Sequence, residues 1–257
     1  MKKTIKLLTP EREKLIIHEL ESGARTIRQL SSKLGVSSAT VRRDLLSLEY
    51  KGKLERIHGG AVRKYEKNRE PVFEEKENIH INQKKKIAEF ASTILSKNEV
   101  IFLDGGSTIL ELAKKLKTRN DLTIVTNSIM ALCALMDSGN NLILIGGKFR
   151  PISRTIVGPL SSKILNDINF TTSFIGTIGF NLEDGITTSD PDEAYTKEFV
   201  IKRSNKVILL ADSSKLGTKS FVSSGHPNDI DILITDKGIS ANFAKKLSKI
   251  GVKIIKT

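Results

Sequence analysis

Apolar positions in the first fifty residues recur at helical spacing. Ile16 and Leu20 share one face, Ile27, Leu30 and Leu34 follow at i, i+3 and i+7, and Val41, Leu45 and Leu48 form a third stripe. Thr9-Pro10-Glu11 reads as a helix start, with Thr9 able to cap and Pro10 in the first position, where its missing N–H costs nothing. A second helix is predicted over 26–34, a turn at Gly35-Val36, and a third helix capped by Ser37. Helix, short glycine turn and helix make a helix-turn-helix pattern. After residue 53 the stretch 54–57 reads as a strand, His58-Gly59-Gly60 as a tight turn and 61–65 as a returning strand, so a β-hairpin wing is predicted beside the helices.

From residue 99 the rhythm is different. Short, mostly apolar runs at 100–103, 122–125, 142–145, 173–175, 207–210, 232–234 and 252–255 are separated by helical stretches. Such runs suit strands buried on both faces, so a largely parallel sheet covered by helices is predicted. The division that follows is a winged helix-turn-helix domain at 1–65, a polar, charged linker at 66–82, and an α/β domain at 83–257 that opens with a helix over 83–95. The lysine run Lys84, Lys85 and Lys86 in that helix is expected to be a solvated face.

Charge sharpens this picture. The chain of 257 residues carries a formal net charge of +13. Residues 1–70 hold 17 Lys plus Arg against 9 Asp plus Glu, a net of +8, so the first quarter carries most of the excess. That asymmetry fits an appended nucleic-acid-binding head. Cys133 is the single cysteine, which excludes an intrachain disulfide, and its place in the apolar run 129–136 predicts a buried, inert thiol. The four histidines lack ligand spacing, so no metal site and no cofactor are expected. No apolar segment approaches the ~20 residues of a membrane helix and the N-terminus lacks a signal-peptide pattern, so the expected location is the cytoplasm, with no membrane partner.

Candidate chemistry falls in two places. Ser37, Ser38, Thr40, Arg42 and Arg43 lie near the start of the third helix, where helix-turn-helix proteins contact the major groove. Short hydroxyl side chains permit close approach to phosphates, and arginine clamps guanine edges or phosphates. Thr26 at the second helix and Arg56, His58 and Gly59 in the wing complete the predicted contact set for double-stranded operator DNA, with Arg63 beside the groove; the bland alternative is a solvated basic helix. The second place is the carboxyl ends of five predicted strands, which carry Asp104 to Thr108, Thr126 to Ser128, Gly146-Gly147-Lys148, Gly176-Thr177 and Asp212 to Lys215. Ligands of open α/β sheets bind there. In Asp104-Gly105-Gly106-Ser107-Thr108 the glycines let backbone N–H groups converge at a helix start, an anion cradle suited to a phosphate, although a plain strand-to-helix turn has the same appearance.

Several fixed motifs carry a resemblance. Arg12, Ile16, Leu20, the run Ser37-x-x-Thr40-Val41-Arg42-Arg43-Asp44-Leu45 and the wing stretch Arg56 to Ala61 resemble the head of the DeoR family of bacterial sugar-metabolism regulators. Residues 99–236 resemble its sensor domain through Leu103 to Thr108, Val125 to Ser128, Ile145-Gly146-Gly147-x-x-Arg150, Val157-Gly158-Pro159, Asp184 to Thr188, Asp192-Glu193-Ala194, Leu210 to Lys215 and Ile234-Thr235-Asp236. The resemblance implies the fold of ribose-5-phosphate isomerase and CoA transferases, a phosphorylated sugar as effector, and a homo-oligomer, dimer or tetramer, whose paired heads read paired half-sites. It implies that Asp104 to Thr108 and Thr126 to Ser128 hold the ligand, with Gly146 and Gly147 beside them and Lys197 and Lys215 as candidate anion partners or structural lysines. Asp44 reads as orienting a basic side chain. Where many members have Gly-Val-Asp-Gly-Ile-Asp, this chain has Gly176 to Asn181, and the loss of both acids predicts binding without turnover. A ligand-controlled repressor of a carbohydrate operon is therefore expected; a sugar-phosphate isomerase or deaminase with an added head is the alternative, and scarce aromatics disfavour a single-strand RNA binder.

Overall fold

The computed structural model describes residues 8–21, 25–57, 59–63 and 70–257. His58, residues 64–65 of the expected second wing strand and residues 66–69 of the expected linker lie outside the described residues. The chain forms two compact units, Met1–Ile79 and His80–Thr257.

The first unit comprises α1 (Thr9–Glu21), β1 (Arg25–Thr26), α2 (Ile27–Leu34), α3 (Ser38–Tyr50), β2 (Leu54–Ile57), β3 (Gly60–Arg63) and α4 (Phe73–Asn78). Ile16, Leu20, Leu30, Leu34, Val41, Leu45, Leu48, Leu54 and Ala61 close one core, so the three apolar stripes read from the sequence all point inward. Thr26 caps α2 reciprocally with Gln29, and Ser37 caps α3 by accepting from the Thr40 amide at 3.2 Å. β2 and β3 form the wing hairpin, and β1 adds a third, antiparallel strand that a two-residue segment could not announce in sequence. Gly60 allows that pairing: a Cβ there would stand 2.3 Å from the Arg25 carbonyl oxygen. Helix α4 lies within the stretch expected to be a linker, and Phe73 is fully buried, an anchor that the surrounding charges obscured.

The second unit comprises α5 (Ile81–Thr93), β4 (Val100–Leu103), α6 (Ser107–Leu116), β5 (Thr123–Thr126), α7 (Ile129–Leu135), β6 (Asn141–Leu144), β7 (Lys148–Arg150), β8 (Thr155–Val157), α8 (Pro159–Leu165), β9 (Thr172–Ile175), β10 (Gly179–Asn181), β11 (Gly185–Thr188), α9 (Pro191–Lys202), β12 (Val207–Leu210), β13 (Val222–Gly225), β14 (Ile232–Thr235), α10 (Ala241–Lys249) and β15 (Lys253–Lys256). Seven strands form one parallel sheet in the order β15-β14-β12-β9-β4-β5-β6, and each arises from one of the seven apolar runs. Side chains alternate across it. Ile101, Leu103, Ile124 and Phe174 pack with α5, α6 and α7, while Phe102, Val125, Ile175 and Leu209 pack with α8, α9 and α10. The result is a three-layer α/β/α unit. Two small antiparallel sheets, β7-β8 and β10-β11-β13, were not foreseen, because their strands are short and lack a long apolar run.

Two expectations about single residues are overturned. Cys133 is exposed, because the short helix α7 turns only part of its apolar sequence toward the sheet. Lys84 is buried at 3% exposure whereas Lys85 and Lys86 are exposed, so the lysine run is not a uniformly solvated face. No described helix is long and apolar enough to cross a membrane.

Candidate functional site

In the first unit, helix α3 presents a polar face. Ser38, Arg42 and Arg43 are exposed, and neither arginine forms an ion pair with a described residue. Ser37 and Thr40 lie within 2.9 Å of each other through their hydroxyls, so both serve the cap while standing at the helix start. Asp44 turns the other way. It is 4% exposed and holds the Arg12 guanidinium through Nε at 2.7 Å and Nη2 at 2.9 Å, a two-bond clasp between α1 and α3. Arg12 is thus the basic side chain that Asp44 orients, and the hydrogen bonds it donates to Asp44 push its pKa above the ordinary value against the effect of burial. Arg56 in the wing faces Glu49 at 3.7 Å, which tempers its charge. Thr26 is exposed at the start of α2, and the Gly59 carbonyl accepts from the Ile27 amide at 2.9 Å, tying the wing turn to that helix. A groove of about 550 Å³ runs along α2 between Arg25, Thr26, Arg28, Gln29 and Lys33. Glu19 also lines this groove and pairs with Lys33 at 2.8 Å and Arg25 at 3.9 Å.

In the second unit, β12, β9, β4, β5 and β6 are consecutive in the sheet, so the five polar strand ends stand side by side. At the centre, Asp104 is 2% exposed; it accepts from the Gly176 amide at 2.9 Å and from the Lys197 ammonium, which also donates to the Gly176 carbonyl at 3.2 Å. Lys197 therefore enters from α9 as the counter-charge of Asp104. Helix α6 begins directly beyond, with Gly106 as its cap and no side-chain cap. The amides of Ser107, Thr108 and Ile109 meet no acceptor among the described residues, and the side chains of Ser107 and Thr108 are buried at 7% and 9% exposure. On β5, the Thr126 hydroxyl donates to the Leu103 carbonyl at 2.6 Å and accepts from the Ser128 amide at 3.0 Å, while Ser128 caps α7. Asn127 donates to the Ile156 carbonyl at 3.1 Å, and its buried Oδ1 finds no partner among the described residues.

The glycines divide by role. A Cβ on Gly105 would stand 2.2 Å from the Thr155 methyl, so this glycine admits the β7-β8 hairpin. A Cβ on Gly147 would stand 2.3 Å from the Ser161 hydroxyl, so it admits α8; Gly146 is open and exposed. Lys215 lies partly buried in the 3-10 turn Ser213–Lys215 after β12.

Sequence reasoning left a second layer of the site out of its candidate set. Arg150 on β7 pairs with Asp190 at 3.0 Å and Glu193 at 3.3 Å and donates to Ser189 at 3.2 Å. Glu193, 8% exposed, also accepts from Thr188 at 2.6 Å and Thr155 at 3.3 Å, and Lys148 pairs with Asp192 at 2.9 Å. These bonds fasten the β7-β8 hairpin to the start of α9. The signal was available, since Arg150, Thr188 and Glu193 all fall inside the quoted motif stretches. The Asn181 side-chain oxygen accepts from the Glu183 and Asp184 amides at 2.8 and 2.7 Å, so this residue shapes the β10-β11 turn. Among the described residues no group of His, Cys, Asp and Glu is placed to hold a metal ion.

A helix-turn-helix head with exposed arginines on α3, joined to a three-layer α/β unit with polar strand ends, is the architecture of a transcriptional regulator. A family model described as the DeoR-like helix-turn-helix domain matches residues 12–67, and one described as the DeoR C terminal sensor domain matches residues 79–237. The chain belongs to the DeoR family of transcriptional regulators. It is 36% identical over 250 residues to the HTH-type transcriptional regulator GlpR of Haloferax volcanii, covering 97% of this chain and 98% of the relative. It is also 36% identical over 251 residues to the regulator FruR of Bacillus subtilis, covering 97% and 100%. Among solved structures, ribose 5-phosphate isomerase A of Methanocaldococcus jannaschii aligns with 53% of this chain and 54% of its own at 18% identity and a TM-score of 0.40.

Proposed function

We propose that this protein represses a carbohydrate-utilisation operon in the cytoplasm by binding double-stranded operator DNA as a homo-oligomer, dimer or tetramer, and that a phosphorylated sugar at the strand ends of the second unit controls it. The observation that carries the effector reading is the start of α6, where no side chain caps the first amides and the buried residues Ser107 and Thr108 follow directly on the Asp104–Lys197 pair. Such a start binds an anion through its amides and dipole. Because Lys197 is already paired, the amides and hydroxyls of Ser107 and Thr108 take the phosphate, and Asn127 Oδ1 is an acceptor for a sugar hydroxyl. Ser38, Arg42, Arg43, Thr26, Arg56 and the wing form the DNA surface.

Thermal unfolding against a panel of sugar phosphates and their unphosphorylated parents tests the effector reading. At a hundredfold excess over Kd the effector adds about 2.7 kcal/mol of apparent stability. One phosphorylated sugar is expected to raise the melting temperature while its parent does not; equal shifts from both would remove the phosphate cradle. On the DNA side, Arg42→Ala is expected to weaken operator binding by about 1–3 kcal/mol, or up to roughly a hundredfold, with the melt unchanged. Operator affinity equal to the parent protein's would take Arg42 off the recognition surface.

A further inference from the structure

The seven-stranded sheet has two edges, and they are built differently. β15 carries exposed Lys253 and Lys256 at its ends, charges that discourage an edge strand from pairing with another chain. β6, at the other edge, reads Asn-Leu-Ile-Leu, and no charged residue occurs from Ser138 to Gly147. It bonds to β5 on one side and to no described strand on the other. Ile143 and Leu144 are 38% and 39% exposed.

Apolar exposure continues in both helical layers beside this edge. Leu142 packs in the layer of α5, α6 and α7, so Leu144, two residues on, shares that side with Met136 at the end of α7, which is 65% exposed. Ile143 is opposite Val125 and shares the side of α8, whose Leu160 and Ile164 are 72% and 46% exposed. A hydrogen bond of 3.1 Å from the Ser161 hydroxyl to the Gly146 carbonyl holds α8 at the end of β6, and Phe149 on β7 adds a ring that is 50% exposed. A single peptide strand would answer the open backbone of β6 and leave both flanks in water. A lone helix would cover one flank. The occupant that satisfies all three layers at once is another sheet between two helical layers with a charge-free apolar edge, and a second copy of this chain presents that surface. A contiguous apolar patch of this kind marks an association surface.

We infer that two copies of this chain associate through β6, strand against strand about a twofold axis. Twofold symmetry makes the pairing antiparallel and the contact self-complementary. The two sheets then run on as one, α7 faces its counterpart in one layer and α8 its counterpart in the other. A stable dimer buries roughly 800 Å² per partner, more than four-residue strands alone offer, so the contact has to extend over the exposed Met136, Phe149, Leu160 and Ile164. The inference deepens the homo-oligomer element of the proposed function and rests on no part of its ligand or operator reading.

Sedimentation of the full chain at micromolar concentration, together with cysteine trapping, tests it. The parent protein is expected to sediment as a dimer or a multiple of one, and Leu144→Lys to raise the dimer dissociation constant at least a hundredfold while its circular dichroism stays native. In a Cys133→Ser background, Ile143→Cys is expected to give an intermolecular disulfide under mild oxidation, and Lys253→Cys, on the charged edge, to give none. A parent protein that is monomeric at micromolar concentration, an unchanged constant in folded Leu144→Lys, or equal trapping at both edges would each overturn the inference. Should Leu144→Lys not fold, trapping through Ile143→Cys decides alone. None of these readouts involves DNA or a phosphorylated sugar, so failure here and failure of the effector or operator reading are told apart.

Discussion

Lys197→Met melts the second unit on the order of 10 °C below the parent protein, because the Asp104 carboxylate is left in the interior with the Gly176 amide as its hydrogen-bond donor and no counter-charge. Removing one partner of a buried ion pair costs about 3–5 kcal/mol, and a domain of this size loses roughly 2–4 °C per kcal/mol. The pair joins β4, the loop after β9 and α9, so its loss loosens the strand ends where α6 begins. Adding Asp104→Asn to Lys197→Met removes the stranded charge and is expected to recover a large part of the melting temperature. Differential scanning calorimetry of the parent, the single and the double variant measures both effects. A single variant within about 2 °C of the parent would mean that the pair contributes little and that Lys197 is held by its aliphatic stem.

The second large effect lies in the head. Asp44→Ala leaves the Arg12 guanidinium, whose side chain is 12% exposed, without the two bonds at 2.7 and 2.9 Å that join α1 to α3. The expected loss is again about 3–5 kcal/mol, a large share of the stability of so small a core. Operator binding falls with the folded population of the head, while the melting of the second unit stays at the parent value. Hydrogen exchange separates the two units: amides of α1 and α3 lose protection and those of β4 and β5 do not. Arg12→Leu with Asp44→Leu, which buries apolar groups in place of the pair, is expected to restore the protection. If Asp44→Ala kept full head protection yet lost DNA binding, Asp44 would belong to the DNA surface itself.

Both predictions rest on pairs that join residues far apart in the chain, and that separation governs what the sequence disclosed. The three helices of the head were legible because a helix writes its buried face locally, as at Val41, Leu45 and Leu48, and because Ser37 announces its helix by a side chain that bonds three residues on. The seven strands were legible because a parallel strand covered on both faces must be apolar throughout. The short antiparallel strands β7, β8, β10, β11 and β13 had no such constraint and were not seen. The residues of the candidate site were legible as polar strand ends and motif stretches. Their division of labour was not: Gly105 and Gly147 admit neighbouring elements, and Asn181 serves a turn.

By itself, then, the sequence determined the helix-turn-helix head, the α/β class of the second unit and the strand ends at which its polar residues gather, since periodicity, caps and turn residues act over a few positions. Only the tertiary structure decided that Arg12 is the partner of Asp44, that Lys197 neutralises Asp104, and that Arg150 and Glu193 fasten the β7-β8 hairpin to α9. It also decided that Cys133 is exposed and that β6, as apolar as the interior strands, stands at an edge. Charge pairing, exposure and strand order depend on which distant segments meet, and no local pattern of side chains encodes that meeting.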